Sequence, residues 1–186
     1  MGRAVGGNVL MEQRIAAAEG LADADGHGLA GFLDAEGCFQ IRPNNRGRTC
    51  MELARLLREF PLRARKRRDF EIWAGAVDRW AAIPYDAKAS GSFHAAMADD
   101  AAALRDVRRY VKSPPPALDG PAADLVAHRG GFFSGEGCFG LSGLQPRAVV
   151  KLRGDDRGIL DLFAERFGIG TVRDHRPYGN PNPSVT

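Results

Sequence analysis

Glu36 and Glu136 stand 100 residues apart in matching surroundings. Leu29–Phe39 reads LAGFLDAEGCF and Arg129–Phe139 reads RGGFFSGEGCF, with six of eleven positions identical at the same offset. Each glutamate closes a short apolar stretch of helical character and is followed by glycine. An anion in the last turn of a helix is disfavoured by about 0.3–1 kcal/mol. Two of them brought together also repel, so the arrangement calls for a compensating cation. Mg²⁺ fits, because it takes few protein carboxylates, keeps several waters and accepts phosphate oxygens. Paired carboxylates around a divalent metal, beside a basic surface, suit phosphodiester hydrolysis. The plainer reading, an exposed glutamate at a helix end, is the better one for either residue alone. The repeated context weighs against it.

The positioning elements follow from the local pattern. Gly31 and Ala35 are four residues apart, as are Gly131 and Gly135. Small residues at this spacing leave a shallow stripe along which two helices can approach closely. Mid-helix glycine costs about 1 kcal/mol relative to alanine, which close approach would offset. Helices are predicted over Leu29 to Glu36 and Ala123 to Glu136, with Gly37 and Gly137 as left-handed caps. LADADG at 21–26 reads as a turn or cap, and a further helix spans Met11 to Ala22. CFQIRP then reads as a strand with Cys38, Gln40 and Arg42 on one face, Phe39 and Ile41 on the other. NNRG is a hairpin turn, RTCMEL a return strand, and Leu53 to Phe60 a helix ended by Pro61. DFEIWAGAVDRWAAI is an amphipathic helix with Asp69 as its cap, and Asp99 to Lys112 is another. In the second half, CFGLSG and AVVKLRG are paired strands. DDRGILDLFAERFG is a helix with an Asp start and a Gly stop, and IGTVRD begins a strand that lacks a partner before the chain ends.

Composition bounds the rest. A chain of 186 residues with 44% hydrophobic content holds one domain or two repeated halves around a real core. The net charge is only +3, yet nine arginines and Lys66 lie between Arg42 and Arg68 against two acids, Glu52 and Glu59. Such a stretch suits an anionic partner, or equally a solvated arginine-rich face. Cys38, Cys50 and Cys138 form no CxxC pair and read as small buried hydrophobes in a reducing compartment. The sequence has no membrane-spanning apolar run and no opening signal segment, so the expected location is cytoplasmic. The organisation expected is an N-terminal extension (1–26), a first repeat (27–112), a proline-rich linker (113–122) and a second repeat (123–186).

The paired stretches resemble the nine-residue motif of the LAGLIDADG homing endonucleases, in the form with two motifs on one chain. The flanks are similar too: DDRGILDLFAERFGIGTV to the helix and strand after a first hairpin, and LARLLREFPLRARKRRDFEIW to the segment that closes a repeat. The resemblance covers most of 27–82 and 124–174. It implies an α+β fold of αββαββα repeats, with the motif helices at a pseudo-twofold interface (Gly31, Ala35, Gly131, Gly135) and two sheets forming a saddle on the DNA major groove. It implies a monomer, associated with the nucleoid, that cleaves double-stranded DNA with Mg²⁺ or Mn²⁺. Glu36 and Glu136 hold the metal-binding motif position. Ser134 stands where the first copy has Asp34, so that position is given no catalytic part. Lys66, with Arg65 beside it, is the candidate basic residue near the scissile phosphate. Gln40, Arg42, Arg46 and Arg48 in the first half, and Lys151, Arg153 and Arg173 in the second, are the strand residues expected to face DNA, reading bases or holding phosphates.

Two departures stand beside the resemblance. Only 24 positions separate Gly37 from Pro61, where the family fits four strands and a helix. The second repeat has that piece but lacks a closing strand and helix. Alternatives to an active endonuclease are therefore a non-catalytic DNA-binding regulator, an RNA maturase-like protein of the same fold, and an inactive remnant.

Overall fold

A computed structural model describes residues 22–41, 47–84, 88, 91–142, 145–168, 170–175 and 183–186. The expected helix at Met11 to Ala22 and the NNRG turn fall largely or wholly outside these residues, as do Arg42 and Arg46. The described elements are mixed α and β: α1 (Asp23–Glu36), α2 (Gly47–Glu59), α3 (Lys66–Ala82), α4 (Gly91–Val107), α5 (Ala122–Glu136), β1 (Gly137–Ser142), β2 (Gln145–Val150), β3 (Leu152–Arg153), α6 (Arg157–Phe167), β4 (Asp174–His175) and β5 (Ser184–Val185). No described helix is long and apolar enough to cross a membrane.

The two motif helices, α1 and α5, pack against each other along their length. Their glycines explain how. A Cβ on Gly31 would lie 1.9 Å from the His128 carbonyl oxygen, and one on Gly131 would lie 1.8 Å from that of Gly28. These contacts are images of one another under the 100-residue offset, since 28 maps to 128 and 31 to 131. A contact that maps onto its own reverse is the mark of a twofold-related interface. Gly135 meets Ala35, the residue at its own equivalent position, with Cβ atoms that would be 2.5 Å apart. The small-residue stripe thus brings two backbones together, as its spacing predicts.

A hydrophobic cluster lies on each side of this pair. Ala30 joins Leu57, Phe60, Leu62, Phe70, Trp73 and Val77 in the first; Ala35 and Phe132 join Val150, Ile159, Leu160, Phe163 and Val185 in the second. The equivalent phenylalanines fare differently. Phe39 is buried against Phe70 and Trp73, with ring centroids 5.8 and 5.3 Å away. Phe139, on β1, is 73% exposed.

Several expectations are corrected. Gly37 and Gly137 do not cap in the left-handed region; their φ values are −59° and −74°. Glycine is needed there because a Cβ would sit 2.4 Å from the Leu33 carbonyl oxygen or 2.3 Å from that of Phe133. LADADG is not a separate turn: Asp23 begins α1. Cys38–Ile41 is not a strand, although its alternation survives, with Phe39 buried and Cys38 and Gln40 exposed. Its carbonyls are taken by side chains. Trp73 Nε1 donates to the Gln40 oxygen at 3.2 Å, and Arg108 donates to the Phe39 oxygen. RTCMEL is helical, because the apolar spacing Cys50, Leu53, Ala54, Leu57 continues the helix back to Gly47. Arg48 therefore lies on a helix. Asp69 caps nothing: it is buried in the first turn of α3, and its Oδ2 accepts from Arg108 Nε at 2.7 Å. Residues 108–112 lie beyond α4. Cys38 and Cys138 are exposed rather than buried.

In the second half β1 and β2 form an antiparallel hairpin from Gly137↔Val150 to Ser142↔Gln145. The return strand ends at Val150, and Leu152–Arg153 pairs elsewhere, with β5. The strand expected at IGTVRD is corrected: 170–173 are not strand, so Arg173 lies off it, and β4 begins at Asp174 and pairs antiparallel with β5 in the last residues of the chain. The helix at DDRGILDLFAERFG is as expected: a 3₁₀ turn (Gly154–Asp156) leads into α6, and Gly168 caps it at φ 61°.

Candidate functional site

The carboxyl ends of α1 and α5 meet the start of α3 and the junction after β2 around a cleft of about 260 Å³. Asp34, Ala35, Arg65, Lys66, Glu136, Lys151, Arg153 and Asp156 line it. These residues come from both halves and span more than a hundred positions of sequence. α1 and α5 end side by side because the glycine contacts lock their register. α3 begins at the cleft because Arg63 and Ala64, just before it, are pinned by α1.

Asp34 does the pinning. Its side chain is buried, and its Oδ2 accepts from the backbone N–H of Arg63 at 2.6 Å and of Ala64 at 2.7 Å. His128 Nε2, also fully buried, lies 3.1 Å from the same oxygen. Asp34 therefore ties α1, α5 and the approach to α3 together, which gives the sixth motif position a structural task. Ser134, in the matching place, merely returns its hydroxyl to the Gly130 carbonyl at 2.9 Å. Asp34→Ala removes the shared acceptor of two backbone N–H groups and the partner of the buried His128 ring, and is expected to cost about 3 kcal/mol or more by chemical denaturation. A loss under 1 kcal/mol would contradict this assignment.

Glu136 is half-buried, and burial pushes its carboxyl up from the ordinary carboxylate range. Lys66 opposes that shift, while the charges of Glu36 and Asp156 add to it. Glu36 itself is exposed, with its Cγ 2.9 Å from where a Cβ on Gly135 would stand. The motif glutamates are thus close enough to feel one another's charge. Lys66 donates from Nζ to the carbonyl of Ala35, in the last turn of α1. Burial lowers its pKa, against the pull of Asp34 and Glu136. Asp156 is pushed up by burial, opposed by its pairing with Arg65.

The other expected site residues are spread out. Gln40 and Lys151 are exposed, and Lys151 lines the cleft. Arg173 is exposed on the segment paired to Thr186 through two backbone hydrogen bonds of 2.7 and 2.9 Å. Arg65 and Arg153 commit their guanidinium groups internally: Arg65 to Asp156 at 3.0 Å, Arg153 to both oxygens of Asp155 at 2.5 and 2.6 Å and to the Arg108 carbonyl at 2.9 Å. Asp156 is marked in the sequence only by its place at a helix start, which suggests a cap. Arg147 is exposed on β2.

Among the described residues no group of three or more His, Cys, Asp and Glu side chains gathers as a metal site. Mg²⁺ takes one or two protein carboxylates and keeps several waters, and Glu36 and Glu136 end the two paired helices. Asp34 Oδ1, on a residue that lines the cleft, is buried and finds no hydrogen-bond donor among the described residues. No protein-family model matches this chain. No curated protein matches it significantly either.

Proposed function

We propose that the chain is a metal-dependent DNA endonuclease of the LAGLIDADG type, with Glu36 and Glu136 holding the metal and Lys66 acting beside it. The observation that carries this reading is the paired arrangement of the motif helices. Reciprocal backbone contacts under one fixed offset bring both motif glutamates to the same end of the helix pair, beside a half-buried lysine. The α+β content is compatible with that family, and the αββαββα repeat remains part of the proposal.

A bound Mg²⁺ or Mn²⁺ would polarise the scissile phosphate and supply an activated water. The chain's own groups would do the rest. Glu136 and Glu36 supply the negative charge that holds the ion. Lys66, half-buried and fixed on the Ala35 carbonyl, presents a cation to the phosphate or the leaving oxygen. Lys151 at the cleft rim, with exposed Gln40, Arg147 and Arg173, would engage the duplex. Arg65 and Arg153 are better assigned to the scaffold, given their internal pairs.

Incubation with Mg²⁺ and a randomised duplex library tests the reading. The wild type is expected to cut a subset of sites, and Glu36→Gln and Glu136→Gln are expected not to. Absence of cleavage by the wild type, or equal cleavage by Glu36→Gln, would sink it. Salt-dependent DNA binding without any metal requirement would instead favour a regulator of the same architecture.

A further inference from the structure

We propose that Asp156, from the second half of the chain, is a positioning residue that fixes Lys66 of the first half against the Glu136 cleft; this rests on the hydrolytic reading above. Asp156 stands at the N-cap of α6, where aspartate ordinarily accepts a bond from its own helix. It makes no such bond. Its carboxylate reaches across to Arg65 instead, accepting the backbone N–H at Oδ1 (3.2 Å) and Nε at Oδ2 (3.0 Å). Arg65 is in turn the N-cap residue of α3, and Lys66 is the first residue of that helix. The two paired side chains are only 15% and 14% exposed, so water offers little substitute.

Lys66 then bonds the Ala35 carbonyl at the end of α1. A continuous tie therefore runs from the start of α6 through the start of α3 to the end of α1. Arg65, Lys66 and Asp156 all face the cleft that Glu136 lines. An aspartate that leaves its own helix uncapped in order to hold the first turn of another is aimed at that turn's geometry. Placement of a reacting group to within a fraction of an ångström depends on such supporting contacts. Asp69, 4.0 Å from Arg65, is too far to take over the hydrogen bonds.

The chain has four lysines, Lys66, Lys88, Lys112 and Lys151, which makes the tie measurable without any activity. Brief acetylation of the full chain followed by mass spectrometry reads the reactivity of each amine. Asp156→Asn is expected to raise modification of Lys66 about tenfold, the scale of one lost charge-assisted hydrogen bond, and to leave Lys88 and Lys112 unchanged. Asp155→Asn removes the neighbouring acceptor of Arg153 and of the Val111 N–H, and is expected to leave Lys66 as in the wild type. If Asp156→Asn does not fold, Arg65→Ala carries the test, with the same Lys66-specific rise. Unchanged Lys66 reactivity in the folded variant, or an equal rise in Asp155→Asn, overturns the proposal. With a cleavable site in hand, Asp156→Asn should lower kcat about 10- to 100-fold at unchanged KM; a KM effect alone would also count against it. Absence of cleavage by the wild type would defeat the hydrolytic reading while leaving the acetylation result to stand or fall by itself.

Discussion

Alanine at Gly31 or Gly131 is expected to destabilise the folded chain by about 3 kcal/mol or more, while alanine at Gly130 stabilises it by about 1 kcal/mol. All three glycines lie in the motif helices, and helix propensity alone favours alanine at each. The neighbours decide the sign. At Gly31 and Gly131 the added methyl would stand 1.9 and 1.8 Å from carbonyl oxygens of the facing helix. Backbone cannot swing aside as a side-chain tip can, so the helices must separate and lose packing on both cores. At Gly130 nothing lies within 4 Å of the added atom. Urea denaturation of the three variants separates the cases. Equal effects at all three positions would mean that the helices do not meet through these glycines.

The second large effect is catalytic. Glu136→Gln is expected to lower Mg²⁺-dependent cleavage about a thousandfold, since a metal contributes several kcal/mol to such a reaction. The same substitution is expected to make the metal-free chain more stable at neutral pH. Burial raises the Glu136 carboxyl in the folded state, so the folded chain holds that proton more tightly than the unfolded one. The cost of ionising it is absent at acid pH, where both states are protonated. It grows as pH rises through the unfolded-state pKa toward the folded-state value, and stays constant above it. Melting curves of wild type and variant should therefore converge on acidification and diverge toward neutrality, with the variant higher. A group that weakened the free protein and was required for turnover would follow the usual trade between stability and function. A less stable variant with full cleavage would contradict both halves of the prediction.

The site was legible in the sequence to the extent that it rests on local repetition. The matched stretches at Leu29–Phe39 and Arg129–Phe139 pointed to two helices with glycine contacts, and Gly31, Gly131 and Gly135 make them. Lys66 was reachable only through the family resemblance, which implies a basic residue near the phosphate, and it comes to the cleft that Glu136 lines. What the sequence concealed was set by long-range partners. Cys38–Ile41 alternates like a strand, but Trp73 and Arg108 claim its carbonyls. The start of α2 was hidden because Thr49 and Cys50 suit a strand as well as a helix, and only the continued spacing to Leu57 favours helix. Ser184–Val185 carries no strand signal in two residues; its pairing with β3 and β4 exists only once α6 has brought those segments together. Asp34 and Asp156 both looked like local residues, one in a motif and one at a cap. Their partners lie 29 and 91 positions away.

Manganese binding tests the paired glutamates most directly, because it needs no knowledge of a target sequence. Electron paramagnetic resonance of free Mn²⁺, titrated with the full chain in the presence of a short duplex, reads the bound fraction against the duplex alone. The wild type is expected to withdraw Mn²⁺ from solution, Mg²⁺ to displace it, and the Glu36→Gln/Glu136→Gln double variant to leave the free signal at the duplex-only level. Binding by the double variant equal to that of the wild type, or no binding by the wild type, would contradict a metal site at the ends of the two motif helices.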